Sequence, residues 1–188
     1  MSMLILGLLI FLGAHATSIV APAWRDAQVA ARGEKAWKAL YGAVSLVGFV
    51  LIVYGYGLAR GAPVVLYQPP AALRHVAWLL MLPVFPLLLA SHLPGHLSRV
   101  TKHPMLVATK FWALAHLLAN GTLASTLLFA AFLAWAVADR ISLKRRVPGP
   151  TLGRAGRFND AIAVVGGLLL YAAFIGGVHL WLIGVSPR

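Results

Sequence analysis

The sequence predicts an all-α integral membrane protein, a six-helix transmembrane bundle in which a short fourth and a short fifth helix form a hairpin. Three observations predict it. Apolar residues make up 61% of the 188 residues and charged residues only 11%, whereas a soluble domain carries about 45–50% and about 25%. The apolar residues gather into six stretches. Most of the sixteen bases, set against four acids, fall in the short segments between those stretches, the arrangement that orients helices in a bilayer. The net charge of +12 is therefore a topology signal; no nucleic-acid-binding motif accompanies it.

The stretches cover residues 3–20, 37–58, 72–90, 105–119, 122–137 and 161–183. A span needs about 20 residues. The second, third and sixth satisfy this, the first is close, and the fourth and fifth are short and separated only by Asn120-Gly121. Read through as helix, that pair leaves five spans; read as a turn, it leaves six. The bases decide. With six spans and the N-terminus outside, Arg25, Arg32, Lys35, Lys38, Arg99, Lys102 and the group from Arg140 to Arg157 all lie inside. Only Arg60, Arg74 and Arg188 lie outside. Five spans would put the most basic loop outside and erase the bias. In a bacterial inner membrane, six spans make both termini periplasmic.

The N-terminal run ends in Ala14-His15-Ala16, which imitates a signal-peptide cleavage site. Its positive charges follow the apolar run instead of preceding it, so the segment is expected as a retained first helix. Residues 1–188 are expected as a single transmembrane domain. The basic loop of residues 138–160, with Lys144-Arg145-Arg146 and Pro148-Gly149-Pro150, is expected against anionic lipid. Gly42, Ser45, Gly48 and Gly55, and later Gly166, Gly167, Gly176 and Gly177, are small enough for close helix approach.

Zero cysteines exclude disulfides, thiolate metal sites and thiol catalysis. No nucleophile elbow, phosphate loop or dinucleotide fingerprint is present. None of the four acids falls in the core of an apolar stretch, so paired-carboxylate chemistry has no place there. Lys110 reads as a lysine snorkelling to the interface. The histidines remain. His15 lies late in the first stretch, and His116 sits within Trp112-Ala113-Leu114-Ala115-His116-Leu117-Leu118. A buried neutral imidazole needs partners for both nitrogens, and either carbonyls or a metal can serve. A zinc or iron site from His92, His96 and His103 is poor, because Pro94-Gly95 breaks the helix that would align the first two. Haem, held by one or two imidazoles in an apolar slot, suits this composition better.

Phe11-Leu12-Gly13-Ala14-His15, the basic stretch Gly33-Glu34-Lys35-Ala36-Trp37-Lys38-Ala39-Leu40-Tyr41, Lys102-His103-Pro104-Met105 and the Trp112–His116 element before Asn120-Gly121 together resemble the NnrU family of bacterial membrane proteins. The resemblance is strongest over residues 3–138. That family is linked by name to denitrification and nitric oxide metabolism, and it is similar to cis-zeta-carotene isomerase, an integral membrane haem b enzyme. The resemblance implies haem b, with His15 and His116 as the iron ligands and His75, His103, Trp112 and Asn120 as further cofactor contacts. Ala113 stands where the isomerase has a cysteine, which removes a thiolate ligand here.

Two ligand pairs stay open. At 1.5 Å per residue, His15 lies about 18 Å below the outer end of its helix and His116 about 5 Å below its own. His75, at the outer end of the third stretch, is the alternative partner for His116. The activity implied is isomerisation of a conjugated lipid or polyene, or chemistry in support of nitric oxide metabolism. Two other classes stay open beside it: a non-enzymatic assembly or transport factor for a respiratory reductase, and, with less support, a membrane methyltransferase suggested by His103-Pro104.

Overall fold

A computed structural model describes residues 1–145 and 153–187, and these are helical apart from short connections and one isolated antiparallel bridge, Val65 with Thr122. The helices are α1 (Ser2–Val20), α2 (Pro22–Arg32), α3 (Glu34–Gly61), α4 (Ala71–Met81), α5 (Val84–Ala90), α6 (His96–Thr101), α7 (Pro104–Ala119), α8 (Leu123–Arg145), α9 (Asn159–Ala173) and α10 (His179–Ile183). Among the described residues, five stretches are long and apolar enough to cross a membrane: Ser2–Val20, Glu34–Gly61, Ala71–Ala90, Leu123–Arg145 and Asn159–Ile183. Large apolar side chains cover their outer faces, with Leu9 and Leu169 each 67% exposed. In water this would be an aggregating surface; against lipid it needs no partner. The chain fits an integral membrane protein.

Several boundaries differ from the sequence reading, each for a local reason. The first basic segment, expected as a loop, contains α2, entered through Pro22 at its first turn and left through Gly33 at φ 80°. Pro83 lacks an N–H, and the third stretch accordingly divides into α4 and α5. α8 continues past residue 137 to Arg145, so Arg140, Lys144 and Arg145 lie on a helix. Arg146 and the Pro148-Gly149-Pro150 segment lie outside the described residues. α7 does end at Ala119, with Asn120 in extended conformation. Its sixteen residues measure about 24 Å, short of a hydrocarbon core of about 30 Å.

The chain divides into two compact units. The first comprises Met1–Gln68 and Gly121–Ser142. There α1 and α3 meet backbone to backbone: a Cβ on Gly7 would stand 2.6 Å from the Ile52 nitrogen, one on Gly48 2.6 Å from the Phe11 nitrogen, and one on Gly55 would overlap the Leu4 backbone. Of the small residues expected at helix contacts, Gly48 and Gly55 are used this way, while Gly42 has nothing within 4 Å. The start of α8 is tied to the end of α3 by Leu123 N–H donating to Val64 O (2.8 Å) and by a Tyr56 Oη–Ser125 Oγ hydrogen bond of 3.0 Å.

The second unit comprises Pro69–Asn120 and Leu143–Arg188. Its core is Val84, Leu87 and Ala108, with Met81, Leu97, Phe111 and Trp112 packed around them. α9 lies on α5 through Gly167, where a Cβ would overlap Pro86. Asp160 at the start of α9 accepts the His96 N–H at Oδ2 (2.8 Å) and the Leu97 N–H at Oδ1 (2.9 Å), which caps α6 from another helix. α6 ends in a tight turn at Lys102, φ 60° and ψ −38°, where His103 N–H reaches Thr101 O at 2.7 Å. This is a strained γ-turn on a non-glycine residue, and Pro104 starts α7 directly after it.

Candidate functional site

His116 is on α7, half-buried, and its position follows from local structure. Its Nδ1 lies 2.8 Å from the carbonyl oxygen of Trp112, one helical turn earlier. A carbonyl can only accept, so Nδ1 carries the proton and, in the neutral ring, Nε2 carries the lone pair. The indole of Trp112 lies 5.3 Å from the imidazole. At the end of the helix, Asn120 turns its Nδ2 back to His116 O at 2.9 Å and caps the last carbonyls.

The ring facing His116 is His179. The two centroids are 6.5 Å apart and the planes are inclined by 27°. Between α9 and α10 the helix widens into a π-turn, Phe174–Val178, with Gly177 at φ 161° and ψ −19°. Such a turn inserts one residue and re-aims every side chain after it. His179 is the first residue beyond it. Its Nδ1 lies 2.7 Å from Val185 O, so this imidazole too has its proton on Nδ1. Gly184 at φ 74° turns the chain back, and Pro187 O receives the Trp78 Nε1–H at 2.9 Å, while Tyr171 Oη–H donates to Trp78 O at 3.0 Å.

These residues enclose a cavity of about 110 Å³ whose wall is mostly apolar. His116, His179, Trp78, Tyr171, Asn120 and Arg74 are the residues with polar side chains in its lining. Arg74 is a cation on the wall, and no carboxylate side chain lines it among the described residues.

The other expected site residues are distributed differently. Trp112 supports His116 from behind, as part of the packing around Val84 and Leu87. His103 is the half-buried N-cap residue of α7. His75 is exposed on α4 with its ring edge-on to Trp78 at 5.1 Å, and the cavity wall passes from Arg74 to Ala77 without it. His15 belongs to the first unit. There its Nδ1 bonds Phe11 O at 2.7 Å, and Phe11, Tyr41 and Trp135 surround the ring at 4.2, 5.1 and 5.6 Å. His15 and His116 thus use one device, an aromatic residue four positions earlier whose carbonyl fixes the tautomer. The repeat is visible in the sequence as Phe11–His15 and Trp112–His116. Nothing in spacing alone singles out His179; its signal is the Gly176-Gly177 pair two residues before it.

No group of three or more histidine, aspartate or glutamate side chains able to hold a metal ion occurs among the described residues. His92, His96 and His103 therefore form no zinc or iron centre there. A metal held by protein donors alone needs three or four of them; a macrocyclic iron already has its equatorial ligands and needs one or two. A backbone carbonyl on the far nitrogen is the usual support of a ligating histidine. Two imidazoles are the number of protein donors that an iron porphyrin takes. The cavity, at about 110 Å³, is smaller than the roughly 300–1,000 Å³ of cofactor pockets and does not take a whole macrocycle as it stands.

A family model described as NnrU protein matches residues 3–187 of the chain. No curated protein and no solved structure matches it.

Proposed function

The chain belongs to the NnrU family, and on that premise we propose that it is a haem b-binding protein of the bacterial inner membrane, with His116 and His179 facing the iron. The observation that carries this reading is the 6.5 Å pairing of the two rings across an apolar cavity. Bound haem would supply ligand exchange or one-electron chemistry, used either on nitric oxide or on the double bonds of a polyene. The chain's own part is narrower. Trp112 O and Val185 O hold the two protons on Nδ1, the apolar wall excludes water, and Arg74 offers a cation to a carboxylate.

A second reading pairs His15 with His116. It is favoured by the same Nδ1–carbonyl arrangement at Phe11. Six spans with periplasmic termini are the topology we propose, supported by the end of α7 at Ala119 and by the bases gathered in the segments assigned to the inside. On this reading α7 crosses as a short helix in a locally thinned bilayer.

The test is expression with ample haem supply, purification in detergent and a pyridine haemochrome spectrum. About one haem b per chain is the expected result. A colourless protein from haem-replete cells overturns the proposal and leaves a non-enzymatic role beside a respiratory reductase as the reading to pursue.

A further inference from the structure

α2 connects two apolar helices long enough to span a bilayer, yet it contributes no buried residue of its own. Its sequence is strongly two-sided. Ala23, Trp24, Ala27, Ala30 and Ala31 share one face, and Arg25, Gln28 and Arg32 share the other. The alanine and tryptophan face is exposed, with Trp24 52% exposed. Trp24 meets Trp37 at the start of α3 edge-on, with centroids 5.7 Å apart. Indole rings, apolar with one polar edge, favour the boundary between headgroups and acyl chains.

The charges around α2 are unevenly matched. Arg25 pairs with Asp26 at 2.8 Å and Lys38 with Glu34 at 2.6 Å. Arg32 and Lys35 flank the Gly33 turn and make no ion pair among the described residues. An exposed apolar face beside uncompensated cations, at the membrane end of two spans, is complementary to one surface: an anionic lipid headgroup layer.

We propose that α2 is an interfacial helix that binds anionic phospholipid headgroups of the inner leaflet through Arg32 and Lys35. Trp24, Ala27 and Ala31 lie against the acyl boundary. The helix lies in the membrane plane, its ends set by Pro22 and Gly33, and it holds the positive end of the first unit on the cytoplasmic side. This inference is independent of haem.

The absence of cysteine makes the test direct. A spin label is placed on Ala27→Cys in the full chain, reconstituted in vesicles of phosphatidylcholine alone or with 30 mol% phosphatidylglycerol as about the inner-leaflet charge. Power saturation reports its depth. The label is expected at headgroup depth in anionic vesicles. Adding Arg32→Gln and Lys35→Gln is expected to weaken the association of phosphatidylglycerol with the purified protein, read by native mass spectrometry, by about fivefold per base. A water-exposed label in both vesicles overturns the proposal, as does unchanged lipid association in the double variant. A label shielded in detergent at high protein concentration, without lipid, also overturns it and assigns the face to a second copy of the chain.

Discussion

The imidazole of His116 stands 6.5 Å from that of His179, each with its Nδ1 hydrogen bonded to a backbone carbonyl. The two side chains come from helices far apart in sequence, and both rings border the same apolar cavity. Removing either should therefore change any iron spectrum in the same direction. In the haem-loaded protein, His179→Ala and His116→Ala are each expected to convert a low-spin, six-coordinate absorption spectrum into a high-spin one. His15→Ala is expected to leave it unchanged. A spectrum lost with His15→Ala and kept with His179→Ala would move the pair to His15 and His116.

The contact between α1 and α3 predicts opposite signs for two glycine substitutions on one helix. Gly48→Ala forces a methyl group against the Phe11 backbone, an overpacking that costs about 1–3 kcal/mol. Gly42→Ala meets open space and should gain up to about 1 kcal/mol from helix propensity. Thermal unfolding in detergent, followed by circular dichroism, measures both. Equal effects would mean that the helices do not meet at Gly48.

Lys102 holds a positive φ that a side chain rarely adopts. Lys102→Gly should relieve about 1 kcal/mol of strain and raise the Tm, whereas Lys102→Ala should not. The comparison separates backbone relief from loss of the charge, since both variants remove the ammonium group.

Asp160 supplies both acceptors at the N-terminus of α6. In Asp160→Ala the amides of His96 and Leu97 lose their partners, and their hydrogen exchange should quicken by about tenfold as the turn opens locally. Exchange unchanged at those two amides, with the rest of the protein intact, would show that the cap is not formed in solution.

Much of the class was legible in the amino acids. A helix in lipid satisfies its own backbone, so run length and charge distribution alone announced apolar helices, and Asn120-Gly121 marked the end of α7. His116 was legible because an imidazole within an apolar run, with no acid near it in sequence, stands out. α2 escaped notice because eleven residues rich in alanine carry no apolar run of their own. Gly7 escaped because a glycine in an apolar stretch does not reveal which helix approaches it. The overall hydropathy of the third stretch masks its division at Pro83, although proline is the local cause.

The amino-acid order by itself thus determined the membrane class and the ends of α1 and α7, because each depends on groups within a turn or two of helix. Only the tertiary structure decided that His179 faces His116. That choice rests on a widened turn at Phe174–Val178 and on a tail tied to Trp78 more than a hundred positions away, and hydrogen bonds across such a separation leave no periodicity to read.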